Sequence, residues 1–300
     1  MSVVTAAALD LALREPPTRV HPVVWAGSYL SLAQRWVPVA PPGRSVVAGA
    51  TAWLGGALVA AAAGHGLEKV AGRVGHPWKA AIRGLALWPL LSARLLLEEV
   101  HAVEPALQHS VVAGRAALAR IVSRDTTDLA PAEVRGAAIE SLAENLSDSL
   151  VAPLTWFLLA GLPGAAVYRF VNTADACWGY RDVRWRHAGR AAAHADDAVN
   201  LLPARLTAAL LYGGADWPRL RREASKTPSP NAGWPMAALA LRLDVRLTKR
   251  GQYDLNPTGA EPRPGDLAAA VRTARRTTFV AVILAAALDH LLSRHRGERR

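Results

Sequence analysis

Eighteen consecutive residues, Val46 to Ala63, carry no charge, and no other feature narrows the folding options of this chain so far. A stretch of that length and composition can cross the hydrocarbon core of a bilayer. No water is present there to satisfy backbone N–H and C=O groups, so the segment must close its own hydrogen bonds as a helix or join a sealed barrel. Gly49, Gly55, Gly56 and many alanines keep it only moderately hydrophobic while allowing a second helix to approach closely. Further apolar segments fall at 84–97, which holds Arg94, at 149–168, at 199–213, and at 277–292, where Asp289 and His290 come late. No internal repeat and no strand-rich region accompanies them. The expected fold is therefore all-α: a polytopic helical membrane protein, read as one membrane-embedded domain over 1–300, with about four to five embedded segments and a polar cytoplasmic face.

The segment 149–168 contains Pro153, Gly161, Pro163 and Gly164. Such a composition is expected to break the helix midway, making it a candidate re-entrant segment rather than a full crossing. Residues 1–18 do not read as a signal peptide, because Asp10, Arg14 and Glu15 interrupt the short apolar run and no basic region precedes it. From Gly213 to Arg276 the chain turns polar and basic, with Arg219, Arg221, Arg222, Lys226, Arg242, Arg246, Lys249 and Arg250. That density places the region on the cytoplasmic side. Within it Pro228–Pro235 reads as a turn-rich loop, followed by a helix to about Leu247 and a proline-dense loop over Gly251–Gly265.

Charge and cysteine content exclude several classes. With 35 basic and 24 acidic residues the formal charge is +11, and 51% of residues are hydrophobic. The excess suits anionic lipid or phosphate-bearing ligands. Nucleic acid is not expected as a partner, since the basic residues are scattered among apolar segments and form no recognisable binding motif. Cys177 is the only cysteine, so neither an intrachain disulfide nor a cysteine-rich metal site can form; it reads as a small buried residue beside Trp178.

Chemistry-bearing residues concentrate between Ser123 and Arg205. If Asp128 caps a helix with Pro131 in its first turn, residues 129–151 place Glu133, Glu140, Glu144 and Asp148 on one stripe and Ala138, Ile139, Leu142, Ala143, Leu146 and Leu150 on the opposite side. Carboxylates stacked at such spacing repel one another, which calls for a cation nearby. Two readings stay open: a wet face of an amphipathic helix, or a site at the mouth of an apolar segment. Arg169, Asn172 and Asp175 recur at i, i+3 and i+6, and Arg190, His194, Asp197 and Asn200 share a second helical face before another apolar run. Ionisable groups beside apolar segments are costly, and taken together these clusters favour a site.

The same residues carry a resemblance. Arg124-Asp125-Thr126, Ala143-Glu-Asn-Leu-Ser-Asp148, Ala152-Pro-Leu154, Tyr168-Arg-Phe-Val-Asn-Thr-Ala-Asp175, Gly179-Tyr-Arg181, Asp196-Asp-Ala-Val-Asn200, Pro203-Ala-Arg205 and Ser229-Pro-Asn-Ala-Gly-Trp-Pro235 resemble the adenosylcobinamide-phosphate synthase family of cobalamin biosynthesis. The likeness reaches Leu9-Asp10 and His21-Pro22-Val23, so it covers nearly the whole chain. It departs from the family where Arg14-Glu15-Pro16 replaces a Gly-Asp-Pro, and where Thr227 stands at a position often held by histidine.

The resemblance implies a membrane-bound, ATP-consuming amide ligase that joins aminopropanol or its O-phosphate to a propionate side chain of adenosylcobyric acid. Other membrane enzymes of the pathway, or a second copy of the chain, are implied as partners alongside membrane lipid. Activating a carboxylate with ATP calls for Mg2+, held by a few carboxylates. On this basis Glu144, Asp148, Asp175 and Asp197 are candidate metal ligands, and Asn145, Asn172 and Asn200 orienting amides. Arg124, Arg181, Arg205 and Lys226 are candidate anion clamps; Asp125, Ser229 and Asn231 are ligand contacts, and His194 or an unliganded carboxylate is the candidate base. Two rivals remain: a Mg2+-dependent membrane prenyl- or phospho-alcohol transferase, which would also need paired acidic clusters, and a non-catalytic transporter.

The uncharged segment Val46 to Ala63 gives a direct expectation. The protein should sediment with membranes and require detergent for extraction, and its recovery from the soluble fraction as a monodisperse species would overturn the membrane assignment.

Overall fold

A computed structural model describes residues 1–180 and 182–298. Its helices are α1 (Ser2–Leu13), α2 (Pro22–Ala33), α3 (Pro42–Gly72), α4 (Trp78–Leu87), α5 (Ala93–His109), α6 (Val111–Leu118) and α7 (Pro131–Leu146). A π-helical turn, Ser147–Val151, leads into α8 (Ala152–Trp178), followed by α9 (Trp185–Ala188), α10 (Arg190–Tyr212), α11 (Trp217–Ala224) and α12 (Gly233–Leu243). Strands β1 (Leu247–Lys249) and β2 (Tyr253–Leu255) precede α13 (Asp266–Glu298). Among the described residues four stretches are long and apolar enough to cross a membrane: Pro42–Gly72, Trp78–His109, Pro131–Trp178 and Asp266–Arg294. The chain is thus a polytopic helical membrane protein. The expected segments 46–63, 84–97, 149–168 and 277–292 fall within these four. The segment 199–213 lies on α10, which is not among them.

The chain divides into two compact units, Met1–Ser92 with Ala152–Asn200 and Val282–Arg300, and Ala93–Val151 with Leu201–Ala281. In the first, α3 packs along α8, and α2 and α9 pack on the same pair. Leu30, Phe170, Ala174, Trp178, Trp185 and Ala188 form a buried cluster there, in which the Trp178 and Trp185 rings stack at 5.0 Å. Cys177 is half-buried at its margin, close to its expected place. Small residues set the helix spacing: a Cβ at Gly64 would stand 2.6 Å from the Pro163 backbone, so α3 and α8 meet there only because none is present.

The expected break in 149–168 is located at Gly161, where φ is 68° and ψ is −157° inside α8. Only glycine adopts that region comfortably. The interruption exposes the Leu162 N–H, and the Glu68 carboxylate accepts from it at 3.1 Å. Glu68 in turn accepts from Arg83 Nε at 3.1 Å, and Arg83 reaches Asp289 at 3.3 Å while lying over the Phe157 ring. Asp289, in the sequence a mere interruption of an apolar run, is a buried partner of this arginine.

In the second unit α5, α6 and α7 pack together, and α12 and β1 lie against α7. Arg135 holds Glu104 with two hydrogen bonds of 2.7 and 2.9 Å. Three expectations are corrected here. The N-cap of α7 is Ala130 rather than Asp128, and Glu133 accepts from the Ala130 N–H at 2.7 Å, so a side chain inside the helix does the capping. The helix expected to continue regularly to 151 widens into the π turn at Ser147–Val151. The helix of the basic region ends at Leu243, because Asp244 turns left-handed, and the expected loop Gly251–Gly265 includes strand β2, which pairs antiparallel with β1 in the register Leu247 to Leu255.

Substituting Gly161 by alanine should lower thermal stability in detergent by roughly 1–3 kcal/mol, the scale for forcing a side chain into this backbone region. Gly66→Ala, at a position with open space around it, should leave the midpoint unchanged or slightly raised. Equal midpoints for the two variants would contradict the break as described.

Candidate active site

In the first unit the polar residues of α8 and α10 form a connected set. The Tyr168 hydroxyl donates to Asn200 Oδ1 at 3.0 Å, and Asn200 Nδ2 donates to Asp196 Oδ2 at 3.0 Å. Asn172 Nδ2 reaches the other oxygen of Asp196 at 3.4 Å. Asn200 and Tyr168 are buried. Because two amides fix Asp196, one of them held in turn by a buried phenol, the neighbouring Asp197 is held in a defined direction on α10. Asp197 and Asp175 are half-buried electrostatic neighbours. Asp175 also needs Gly179: a Cβ at that position would collide with its carboxylate, and the Gly179 N–H donates to the Asp175 carbonyl at 2.7 Å. His194 is exposed on α10. Arg181 lies outside the described residues.

The second unit holds two clusters. Arg124 pairs with Glu140, which is only 3% exposed, and the Tyr253 phenol also bonds to Glu140. Burial and the Glu140 charge raise the Tyr253 pKa above the usual phenol range, so it stays a hydrogen-bond donor. The acidic stripe of α7 is therefore not one wet face. Glu140 is buried, Glu133 is bound twice by Arg250 at 2.6 Å, and only Glu144 is exposed. Asp148 is half-buried within the π turn, a local form often found at functional sites. Asn145 donates to Ser141 on its own helix at 2.9 Å, and the exposed Asp125 accepts from the Thr127 N–H and hydroxyl at 2.9 and 2.8 Å, which holds its carboxyl below the ordinary range. Both serve local structure.

The second cluster surrounds the start of α12. Ser229 Oγ accepts from the N–H groups of Asn231 and Ala232 at 3.2 and 3.1 Å, and Arg205 donates to Asn231 Oδ1 at 3.2 Å while its guanidinium lies 4.8 Å from the Trp234 ring centre. A cavity of about 390 Å³ opens beside them, bordered by Arg205, Arg221, Ser225, Thr227, Ser229 and Trp234. Thr227 donates within this loop, to Ser229 O at 3.0 Å. Lys226, expected as an anion clamp, instead binds Glu223 at 2.7 and 2.8 Å. Glu223 also accepts from the Asn256 N–H at 2.6 Å, so the lysine charge is balanced within a structural knot.

Of the expected metal ligands, Glu144 and Asp148 belong to the second unit, and Asp175 and Asp197 to the first. Among the described residues no group of three or more His, Cys, Asp or Glu side chains is arranged to hold a metal. Two carboxylates are nevertheless compatible with Mg2+, which keeps several waters or phosphate oxygens of its own. Sequence reading missed Tyr253, Arg221 and the buried state of Glu140. A tyrosine in a proline-rich stretch and one arginine among many carry no periodic signal.

Comparison with known proteins places these clusters in context. A family model described as CobD/Cbib protein matches residues 3–283. A cobalamin biosynthesis protein CobD of Rhodobacter capsulatus is 39% identical over 300 residues, covering 91% of this chain and 92% of that protein. The CobD of Chromobacterium violaceum is 39% identical, with 93% and 94% covered, and a probable CobD of Methanothermobacter thermautotrophicus is 38% identical, with 82% and 83% covered. No solved structure matches the chain.

The two α7 carboxylates separate burial from exposure. Glu140→Ala should lower stability by on the order of 3 kcal/mol, because Arg124 loses its buried partner. Glu144→Gln should stay within about 0.5 kcal/mol of the parent. Thermal unfolding in detergent measures both, and a neutral Glu140→Ala would refute the buried pair.

Proposed function

The chain belongs to the CobD/Cbib family of cobalamin biosynthesis proteins, and from that membership we propose that it is an ATP-dependent amide ligase acting on adenosylcobyric acid. The second substrate is aminopropanol or its O-phosphate. One observation supports the reading above the others: apart from the exposed Asp125 and Glu144, much of the polar set of the family resemblance is held in hydrogen-bonded clusters. Asn172, Asp196 and Asn200 are joined by hydrogen bonds in the first unit, where Asp175 lies close to Asp197, and Arg205, Ser229 and Asn231 are joined in the second. Side chains fixed in this manner are pre-organised for a ligand.

The chemistry divides among them. A propionate oxygen attacks the terminal phosphorus of ATP, ADP departs, and the resulting acyl phosphate is attacked by the amine; phosphate leaves as the C–N bond forms. Mg2+ bound with the nucleotide would neutralise phosphate charge, and Asp175 and Asp197 are the residues assigned to hold it. Asn172 and Asn200 keep Asp196, and through it the α10 turn that bears Asp197, from rotating. Arg205 and Arg221, with Ser229 near the N-terminus of α12, offer positive charge and hydroxyl groups to an anionic group of substrate or nucleotide. Arg124, already balanced by Glu140, retains donors for a second anion. Glu144 is an exposed carboxylate beside this pair. The proton released by the attacking amine is assigned to His194, which is exposed to solvent three residues before Asp197.

Two substitutions test the assignment. Asp197→Asn and Glu144→Gln preserve shape and remove charge, and each should slow amide formation by about two orders of magnitude, the scale of one lost electrostatic contact in a transition state. Abundance in the membrane should be unchanged. Product formation should cease when ATP is omitted; turnover without ATP would reject the ligase reading, and near-normal rates in both variants would reject these residues.

A further inference from the structure

The first unit also has an apolar opening to which no residue of the hydrogen-bonded Tyr168, Asn200, Asp196 and Asn172 set contributes. It has a volume of about 260 Å³ and runs between α2, α3 and α8. Its α3 wall is built from Gly56, Val59, Ala60, Ala63, Gly64 and Leu67, residues that recur along one helical face. The eleven helical steps from Gly56 to Leu67, about 1.5 Å each, make the groove about 16 Å long, parallel to a segment able to cross the membrane. The opposite wall is Leu162, Ala166, Arg169 and Phe170 of α8, again a single helical face, and it begins directly after the break at Gly161.

We propose that this groove seats an acyl chain of a membrane phospholipid. Its surroundings identify the occupant. On α3 the neighbouring Leu54, Leu58 and Val59 are half or more exposed, so this flank of the helix contacts hydrocarbon in the bilayer and the groove opens among them. The small residues of α3 leave a trough that is long and narrow, which suits one extended chain and not a ring system. At one end Trp25, more than half exposed, contributes an amphipathic ring of the kind found at the membrane–water boundary. Arg169 supplies the only charged side chain of the lining, which suits a lipid with an ester and phosphate end better than a neutral hydrocarbon. Filling the trough stabilises the first unit, because an apolar void forfeits the packing contacts of its walls.

The wild-type protein tests this directly. Reconstituted in phosphatidylcholine vesicles whose acyl chains carry a photoactivatable diazirine, the protein should form lipid adducts on Ala166 and Phe170, partly or fully buried residues of the inner wall. Adducts confined to the outward residues Leu54 and Leu58 would overturn the proposal. In native mass spectrometry after delipidation, the parent and Leu58→Phe should retain one phospholipid per chain, whereas Ala60→Phe, which fills the trough, should lose at least tenfold in occupancy. Equal occupancy in parent and Ala60→Phe would also overturn it.

Discussion

A backbone that leaves helical geometry inside an apolar environment must find partners for the groups it frees, and the Gly161 break depends on how this molecule meets that demand. A lone N–H in hydrocarbon costs several kcal/mol. The Leu162 N–H is given a carboxylate, Glu68, and a buried carboxylate is itself costly unless a cation compensates it. Arg83 supplies the charge, and Asp289 balances the same guanidinium from α13. Each element of this chain of contacts makes the next necessary. The break, in turn, sets the course of the remainder of α8, which carries both the α8 half of the acidic cluster and the inner wall of the apolar groove.

The second unit solves a related problem with a different geometry. Glu140 is placed in a helix whose other faces are also buried, so its charge is tolerated through Arg124 and the Tyr253 phenol. Tyr253 is available because a two-stranded hairpin packs on α7, and that hairpin runs directly into Asn256, with which Arg219 and Glu223 both engage. Removing the partner of a buried charge is far more harmful than never having had the pair. Glu140, buried with its partner, therefore bears on folding, whereas Glu144 is exposed on the same helix and does not carry that structural demand.

Local signals made much of this legible. Proline and glycine density marks the broken segment, and the helical recurrence that groups Asn172 with Asp175 and Asn200 with Asp197 marks two faces whose amides the structure joins through the adjacent Asp196. Other signals were misleading. Lys226 looked like one more phosphate clamp, yet its neighbour Glu223 at i−3 neutralises it. Asp128 had the composition of a cap, but Ala130 and Glu133 took that position because Pro131 fixes the first turn. The stripe on α7 followed helical periodicity correctly. Periodicity describes which residues share a face, however, and cannot say whether that face meets water, protein or a hairpin from much later in the chain.

The sequence by itself determined that the chain is helical and membrane-embedded, since uncharged segments of that length leave a backbone no other way to satisfy its hydrogen bonds. It also determined the family, because many short polar motifs in one order survive as text. Only the tertiary structure decided which acids are buried and which are open, where α8 breaks, and that Asp289 is a partner of Arg83 rather than an interruption. These depend on contacts between residues tens to hundreds of positions apart. The energy of a charge is set by the neighbours that compensate it, and no local pattern records them.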